Sequence, residues 1–354
     1  MVRWLRLFFL VGVLTASAVP MMGFAQSPAA PCDLAGYNAD ARPDPEGTPT
    51  DVRIGVFVAD IDKVDNLDQS FRTDVFITME WEDPRLAVIV QAAGSQTCRF
   101  PRETVWNPQL VLFNQRSTQS PLPDRVNVDD QGNAIYTQRI LGSLRSPFDL
   151  RDFPLDHQML PITIISIEYG PDQVNLQFDT GAPSHDHDFM NAGWILVEEN
   201  HEVGTLDSTN QDTSAENERF VRFDYMFQVR RELGFYIWRV IGPLSFIVMM
   251  SCGVFWIDPG MVGVQIGLAS TSILTLVAFL FSLNAFLPPL SYLTRMDVFM
   301  FVSLALAFLA FSEAIATAVL KASERERLAL SMDRWARWLF PALFAAVHLA
   351  VWTT

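Results

Sequence analysis

Four long apolar runs crowd the end of this 354-residue chain, and they constrain its fold more than any other feature. They read Phe235–Ile257, Met261–Leu287, Val298–Leu320 and Trp335–Trp352. Each reaches or approaches the ~20 residues needed to cross a bilayer as a helix. Asp258-Pro259-Gly260 separates the first run from the second, and Pro288-Pro289 ends the second. The sequence therefore predicts a four-helix transmembrane unit over residues 234–354, with a short linker at 321–334.

Charge is segregated to match. Between Gln26 and Gly234 there are 34 acidic and 16 basic side chains, a balance of −18, against +3 in the rest of the chain. Such a field draws cations and repels anions and nucleic acid, so a nucleic-acid partner is excluded. At the start, Arg3 and Arg6 precede an apolar run from Leu7 to Val19, with small residues at Gly23-Phe24-Ala25. This is the pattern of a secretory signal peptide over residues 1–25, followed by an N-terminal extension at 26–50. The stretch from Lys321 to Arg337 holds five basic residues and belongs in the cytoplasm by the positive-inside rule. The expected protein is a multi-pass inner-membrane protein with its N-terminal domain and C-terminus extracytoplasmic. Cys32 and Cys98 then share an oxidising compartment, free to pair or to stay apart.

The acidic domain, residues 51–233, reads as β-structure. Val75, Ile77, Met79 and Trp81 alternate with Phe76, Thr78 and Glu80, and Val221, Phe223, Tyr225, Phe227 and Val229 alternate likewise with polar neighbours. Period-two runs separated by turns such as Asp129-Asp130-Gln131-Gly132-Asn133 mark strands with one buried face. No helix pattern stands out between Asp51 and Arg231. The expected architecture is an extracytoplasmic antiparallel β-sandwich, immunoglobulin-like, followed by the four-helix bundle. Thr205–Glu218 is polar and reads as a mobile loop.

In the second apolar run, Gly267, Thr271, Leu274, Ala278 and Phe281 are spaced 4, 3, 4 and 3 apart and share one helical face. Ser270, Ser272, Thr275 and Ser282 make this run unusually polar. Taken alone, it fits a helix buried among neighbours with hydroxyls bonded to backbone, or one lining a watery axis.

Motifs along the chain select between these. Trp81-Glu82-Asp83-Pro84-Arg85-Leu86 resembles a W-x-D-x-R-L strand, and Trp106-Asn107-Pro108-Gln109 with Asn114 resembles W-x-P-D-x-x-x-x-N, with Gln109 in place of the acid. Phe153-Pro154-Leu155-Asp156-His157-Gln158 is similar to F-P-x-D-x-Q, while Ser146 and Leu160 stand where animal members carry cysteines. Pro243 and Leu287-Pro288 also match. In this order the motifs resemble the pentameric ligand-gated ion channels, the Cys-loop receptor superfamily, and most nearly its bacterial, amine-gated, cation-conducting members.

The resemblance implies a homopentamer in the lipid bilayer whose five second spans surround a pore for monovalent cations. Leu274 and Phe281 would be hydrophobic gate rings, with Thr271 and Gly267 lining the cytoplasmic half. Gly263 stands where cation channels usually carry an acid, so selectivity would rest on the acidic domain and on Asp258. A small extracellular amine would bind between subunits, with Phe76 on one side and Phe113, Glu168, Tyr169 and Phe220 on the other. Aromatic faces attract ammonium groups by roughly 0.5–2 kcal/mol per ring. Asp65, Asp156 and Arg231 would couple the domain to the membrane, with the arginine flanked by two carboxylates. A proton-gated channel of the same fold is the alternative ligand reading.

His185-Asp186-His187-Asp188 offers adjacent metal ligands, but structural sites gather ligands from separate elements, so a solvated loop is expected and no metal. No cofactor is implied. The chain shows no nucleophile elbow, no H-E-x-x-H and no phosphate loop, so no enzyme is expected. A transporter or sensor is the remaining rival. Glu313 and His348 are its only midplane candidates, and each lies in a continuous run.

Overall fold

The computed structural model describes residues 32–181, 183–190, 193–207, 219–258, 260–284 and 287–353. The signal-peptide reading of residues 1–25 lies outside these, as does most of the Thr205–Glu218 stretch.

The acidic half is a sandwich of two sheets. The first has seven strands in the order β3-β6-β7-β2-β1-β9, with β5 pairing to β7 off that path. Its strands are β1 (Thr50–Asp65), β2 (Ser70–Glu82), β3 (Thr97–Pro101), β5 (Gln115–Gln119), β6 (Arg125–Asp129), β7 (Asn133–Arg145) and β9 (Val174–Phe178). The second has four, β10-β11-β8-β4, built from β4 (Leu110–Leu112), β8 (His157–Ser166), β10 (Trp194–Asp207) and β11 (Arg219–Arg231). The β2 and β11 alternations behave as read. Val75, Ile77, Met79 and Trp81 turn inward with Val221, Phe223, Tyr225, Phe227 and Val229, and all are buried. Two expectations need correcting. β9 runs parallel to β1, so the sandwich is not wholly antiparallel. And a helix, α1, spans Pro84–Ala92. Asp83 caps it, accepting from the Arg85 amide, and Pro84 sits where a missing N–H costs nothing.

Cys32 and Cys98 are disulfide-bonded, which ties the segment before β1 to β3. Closing a loop of this size restricts the unfolded chain and contributes about 2–4 kcal/mol. Cys98→Ser should therefore lower the stability of the purified protein by that order. Thermal unfolding followed by tryptophan emission, with and without a dithiol reductant, checks it: reduction should mimic the substitution and have no further effect on the variant.

Four helices are long and apolar enough to cross a membrane: Gly234–Trp256, Val262–Leu283, Arg295–Ala322 and Glu326–Thr353. The first carries one π-helical turn, Ile237–Ile241, just ahead of Pro243. Proline lacks an amide hydrogen and clashes with the carbonyl four residues back, and a widened turn accommodates both. Gln265 on the second helix is fully buried, and its amide donates to the Val254 and Ile257 carbonyls at the end of the first. Thr294 and Asp297 form a reciprocal capping box that starts the third helix. Ala307, Ala310 and Ala314 are buried on the third helix, and such small side chains let neighbouring helices approach closely. The third helix ends at Ala322 and the fourth begins at Glu326, so most of the expected linker at 321–334 is helical.

Candidate functional site: an exposed stripe, an aromatic cleft and a buried ion pair

The second span presents one free face. Gly267, Thr271, Leu274, Ala278 and Phe281 are all exposed, while Gln265, Ala269, Ser272, Leu276 and Leu283 are buried. Leu274 and Phe281 are each 70% exposed, so two large apolar side chains stand out from a helix packed on its other side. The hydroxyls of Ser270, Thr271, Ser272 and Thr275 each donate to the carbonyl four residues back, at 2.7–3.0 Å. The Thr271 proton is thus committed to the backbone, and its oxygen lone pairs remain for the exposed side. Asp258 does not stand free at the helix start. Lys321 Nζ lies 2.7 Å from its carboxylate, whose pKa is lowered by that hydrogen bond.

The aromatic residues divide between the two sheets. Phe76 is half-buried on β2 and tilts against Phe57, with ring centroids 6.3 Å apart. The Arg139 guanidinium lies 5.3 Å from the Phe76 centroid, and Asp74 holds that arginine in a two-point contact at 3.0 and 2.6 Å. Phe113 is exposed and lines a cavity of about 850 Å³ with Arg116, Arg145 and Arg222. Glu168 is exposed, and Phe220 is half-buried at the start of β11. Tyr169 turns the other way. It is 9% exposed, its ring packs 5.7 Å from Trp106, and its hydroxyl accepts from the Trp106 indole at 3.0 Å. Of the residues expected around the ligand, it is the one whose side chain turns inward, behind the loop. The residues that face outward there are Ile167 and Glu168. Within one chain Phe76 lies on the first sheet, whereas Phe220 lies on the second and Phe113 and Glu168 follow its strands β4 and β8.

At the membrane end, Arg231 is 6% exposed and Asp156 2%. The guanidinium donates to both Asp156 oxygens, at 2.9 and 2.8 Å, and Gln158 adds a third donor to that carboxylate at 2.7 Å. Arg231 also lies 4.1 Å from the Trp194 centroid and 4.9 Å from Phe153, and donates to the Tyr236 hydroxyl at 3.2 Å. Burial, the largest single influence, disfavours its charge, but the Asp156 hydrogen bonds and charge together with Tyr236 raise its pKa on balance. Asp65 is not the second carboxylate. It is held by Lys63 at 2.6 Å and accepts from the Leu67 and Asp68 amides, so it shapes its own turn; chiefly through the Lys63 bond, its pKa is lowered. The next residue, Asn66, accepts from Arg231 at 3.1 Å instead. The loop bearing Asp156 also grips the start of the third span. The Leu150 amide donates to the Tyr292 hydroxyl, the Arg295 amide to the Arg151 carbonyl, and the Met296 amide to the Phe153 carbonyl.

His185, from the acidic loop, is held through Nδ1, 2.7 Å from the Asp186 carbonyl. Its Nε2 lies 2.6 Å from Glu199 and its ring stacks on Phe189. Among the described residues no three metal-ligating side chains converge.

A sandwich whose Arg231 and Asp156 loop are hydrogen-bonded to the starts of the first and third of four membrane-length apolar helices, the second of which carries an exposed stripe, defines a multi-pass membrane protein with a β-sandwich joined to its spans. Comparison with known proteins agrees. The model described as neurotransmitter-gated ion-channel ligand binding domain matches residues 33–233. The one described as neurotransmitter-gated ion-channel transmembrane region matches residues 240–328. The chain belongs to the neurotransmitter-gated ion-channel family. Similar curated proteins include the glycine receptor subunit beta of Rattus norvegicus, of Mus musculus and of Homo sapiens, each 25% identical over 287 residues. The match covers 79% of this chain and 57% of each relative, so the chain spans little more than half their length.

Proposed function

We propose that this chain is the subunit of a homopentameric ligand-gated channel that passes monovalent cations and opens when a small amine-bearing ligand binds between subunits. The exposed stripe on the second span carries this reading. Five copies facing an axis would bring Leu274 and Phe281 into apolar rings that exclude water, with Thr271 oxygens below them. Those oxygens have lone pairs but no free proton to offer, which suits cations. The −18 domain above adds a field of the same preference. Asp258, being paired with Lys321, contributes little to it. The topology we assign is inner membrane, with the sandwich and the C-terminus extracytoplasmic.

The ligand would sit between Phe76 of one copy and Phe113, Ile167, Glu168 and Phe220 of the next, its ammonium against aromatic faces and the Glu168 carboxylate. β11 then links cleft to membrane as a single strand. Phe220 and Arg231 lie eleven residues apart on it, about 36 Å at ~3.3 Å per residue. A shift at Phe220 is felt at Arg231, then at Asp156, and then at Tyr292 and Met296 beside the second span. The similar curated proteins are named for glycine, which itself carries a primary amine, so glycine joins the alkylamines as a first probe.

Purified protein in planar bilayers under a salt gradient tests this. Glycine, propylamine and then a pH step from 7.5 to about 5, where perturbed carboxylates titrate, would be applied in turn. The expected result is unitary current under an amine, reversing near the cation potential, with Asp258→Asn leaving that potential unchanged. Opening by acid alone would favour proton gating. Asp60 is the group to examine in that case: burial first, then Asp62 and Asp74, raise its pKa, so the folded protein takes up its proton more readily. Reversal near the chloride potential would refute cation selectivity. Silence under all three, even with the gate loosened, would return the chain to the transporter or sensor reading.

A further inference from the structure

The segment before β1 does more than lead into the sandwich. It is clipped at Cys32 to Cys98, which is buried on β3. At its other end Arg42, 8% exposed, donates to the Thr48 carbonyl at 2.6 Å and to the Thr50 hydroxyl at 3.2 Å, folding the segment onto the start of β1. Between these anchors Tyr37 enters the domain, and its hydroxyl uses its whole hydrogen-bonding capacity. It donates to Asp83 at 2.7 Å and accepts from Arg85 at 3.2 Å and from the Trp106 backbone amide at 3.1 Å. Asp83 is fully buried and Trp106 is 1% exposed.

Trp106 is the link outward. Its amide is held by Tyr37, and its indole donates to the Tyr169 hydroxyl. The loop around Tyr169 has two further anchors, both in the same short stretch. The Ile167 amide donates to the Gln109 carbonyl at 3.2 Å. The Tyr169 amide donates to Ser166 Oγ, which in turn donates to the Pro108 carbonyl, each at 3.0 Å. These hydrogen bonds tie the loop to residues 106–109. Asp40 and Arg42 of the segment also lie near enough to act electrostatically on the Tyr169 phenol.

We propose that residues 32–50 form a strap whose Tyr37 positions the Ile167–Tyr169 loop through Trp106, so that the strap sets ligand affinity at the cleft. This rests on the reading of Ile167 and Glu168 as cleft residues, and Tyr37 is a positioning residue that touches no ligand. Losing its hydroxyl leaves Asp83 still paired with Arg85 but leaves the buried Trp106 amide without its acceptor. The effect falls on the Trp106 link.

The test has a chemical arm and an electrical arm. Glu168→Cys places an exposed thiol on the loop, since Cys32 and Cys98 are bonded and Cys252 is buried. Its modification by a trimethylammonium-ethyl methanethiosulfonate, followed by mass spectrometry, reports how freely the loop moves and needs no agonist. Adding Tyr37→Phe should speed modification about tenfold, the order expected for one lost buried hydrogen bond. Tyr169→Phe should do the same, and the double variant should be no faster than either, because both break one chain of contacts. In the electrical arm Tyr37→Phe should raise the half-maximal propylamine concentration about tenfold and leave the maximal current unchanged. A modification rate within twofold of the parent, or accelerations that multiply in the double variant, would overturn the proposal. If propylamine opens no channel, the amine reading fails by itself and the modification rates still decide the strap. Should Tyr37→Phe not fold, Arg42→Gln, which frees the strap at Thr48 and Thr50, carries the same expectation.

Discussion

Asp156→Asn should destabilise the folded protein by about 3–5 kcal/mol and abolish ligand-evoked current. That magnitude is what losing one partner of a buried ion pair costs when the other charge stays buried. Arg231 has nowhere to take its charge. It is enclosed by Trp194, Phe153 and Tyr236, and Asn66 is a neutral acceptor that cannot balance it. Thermal stability read by size-exclusion chromatography in detergent measures the first effect and bilayer recording the second. A double variant separates the two. Replacing a buried pair by apolar residues is often neutral or stabilising by 1–4 kcal/mol, so Arg231→Met with Asp156→Leu should recover the stability. It should not recover gating if, as proposed, the two-point contact between Arg231 and Asp156 carries β11 motion to the Asp156 loop. A double variant that folds and responds to ligand like the parent would show that the pair only stabilises the domain boundary.

What was legible in the sequence follows from which properties are periodic. The stripe from Gly267 to Phe281 could be read because helical spacing fixes a face whatever the neighbours are. The inward sets of β2 and β11 were legible for the same reason. Properties set by a single rotation or a single neighbour were not. In the loop after β8 neighbours need not alternate: Ile167 and Glu168 are both exposed, and of the three residues 167–169 one turns inward. Only the position of the Trp106 indole decides that it is the tyrosine. Asp65 carries the charge an arginine wants, yet Lys63 and two turn amides claim it, and Asn66 reaches Arg231 instead. Trp194 lies directly opposite Arg231 in the β10–β11 ladder, a register that no local pattern prints. The Cys32–Cys98 pairing likewise depends on a Cα separation of 6.2 Å between residues 66 apart. α1 was within reach, because Asp83-Pro84 is a cap followed by a first-turn proline; the strong β pattern before it masked so short a helix.

Leu274→Ser carries the largest expected change in current. In a closed ring of five, Leu274 would narrow the axis and repel water, and ions would not cross without a continuous hydrated path. Burying a leucine side chain is worth about 1.5–3 kcal/mol, and the exchange to serine removes that preference for a dry constriction while adding a group that water can bond. Even on the order of 1 kcal/mol per subunit, five subunits would shift the resting equilibrium by about 5 kcal/mol, or roughly three to four orders of magnitude in the open-to-closed equilibrium constant. The variant should therefore conduct without ligand and show a lowered half-maximal concentration for whichever ligand opens the parent. Thr271→Ser, which keeps a hydroxyl able to bond the Gly267 carbonyl, should leave the resting current as it was and serve as the matched control. Ser at 274 should also not add to the loss in Asp156→Asn: a spontaneously open pore with a broken Asp156 link should still conduct, and no longer respond to ligand. If Leu274→Ser leaves the resting conductance unchanged while the protein assembles normally, the exposed stripe does not line the ion path.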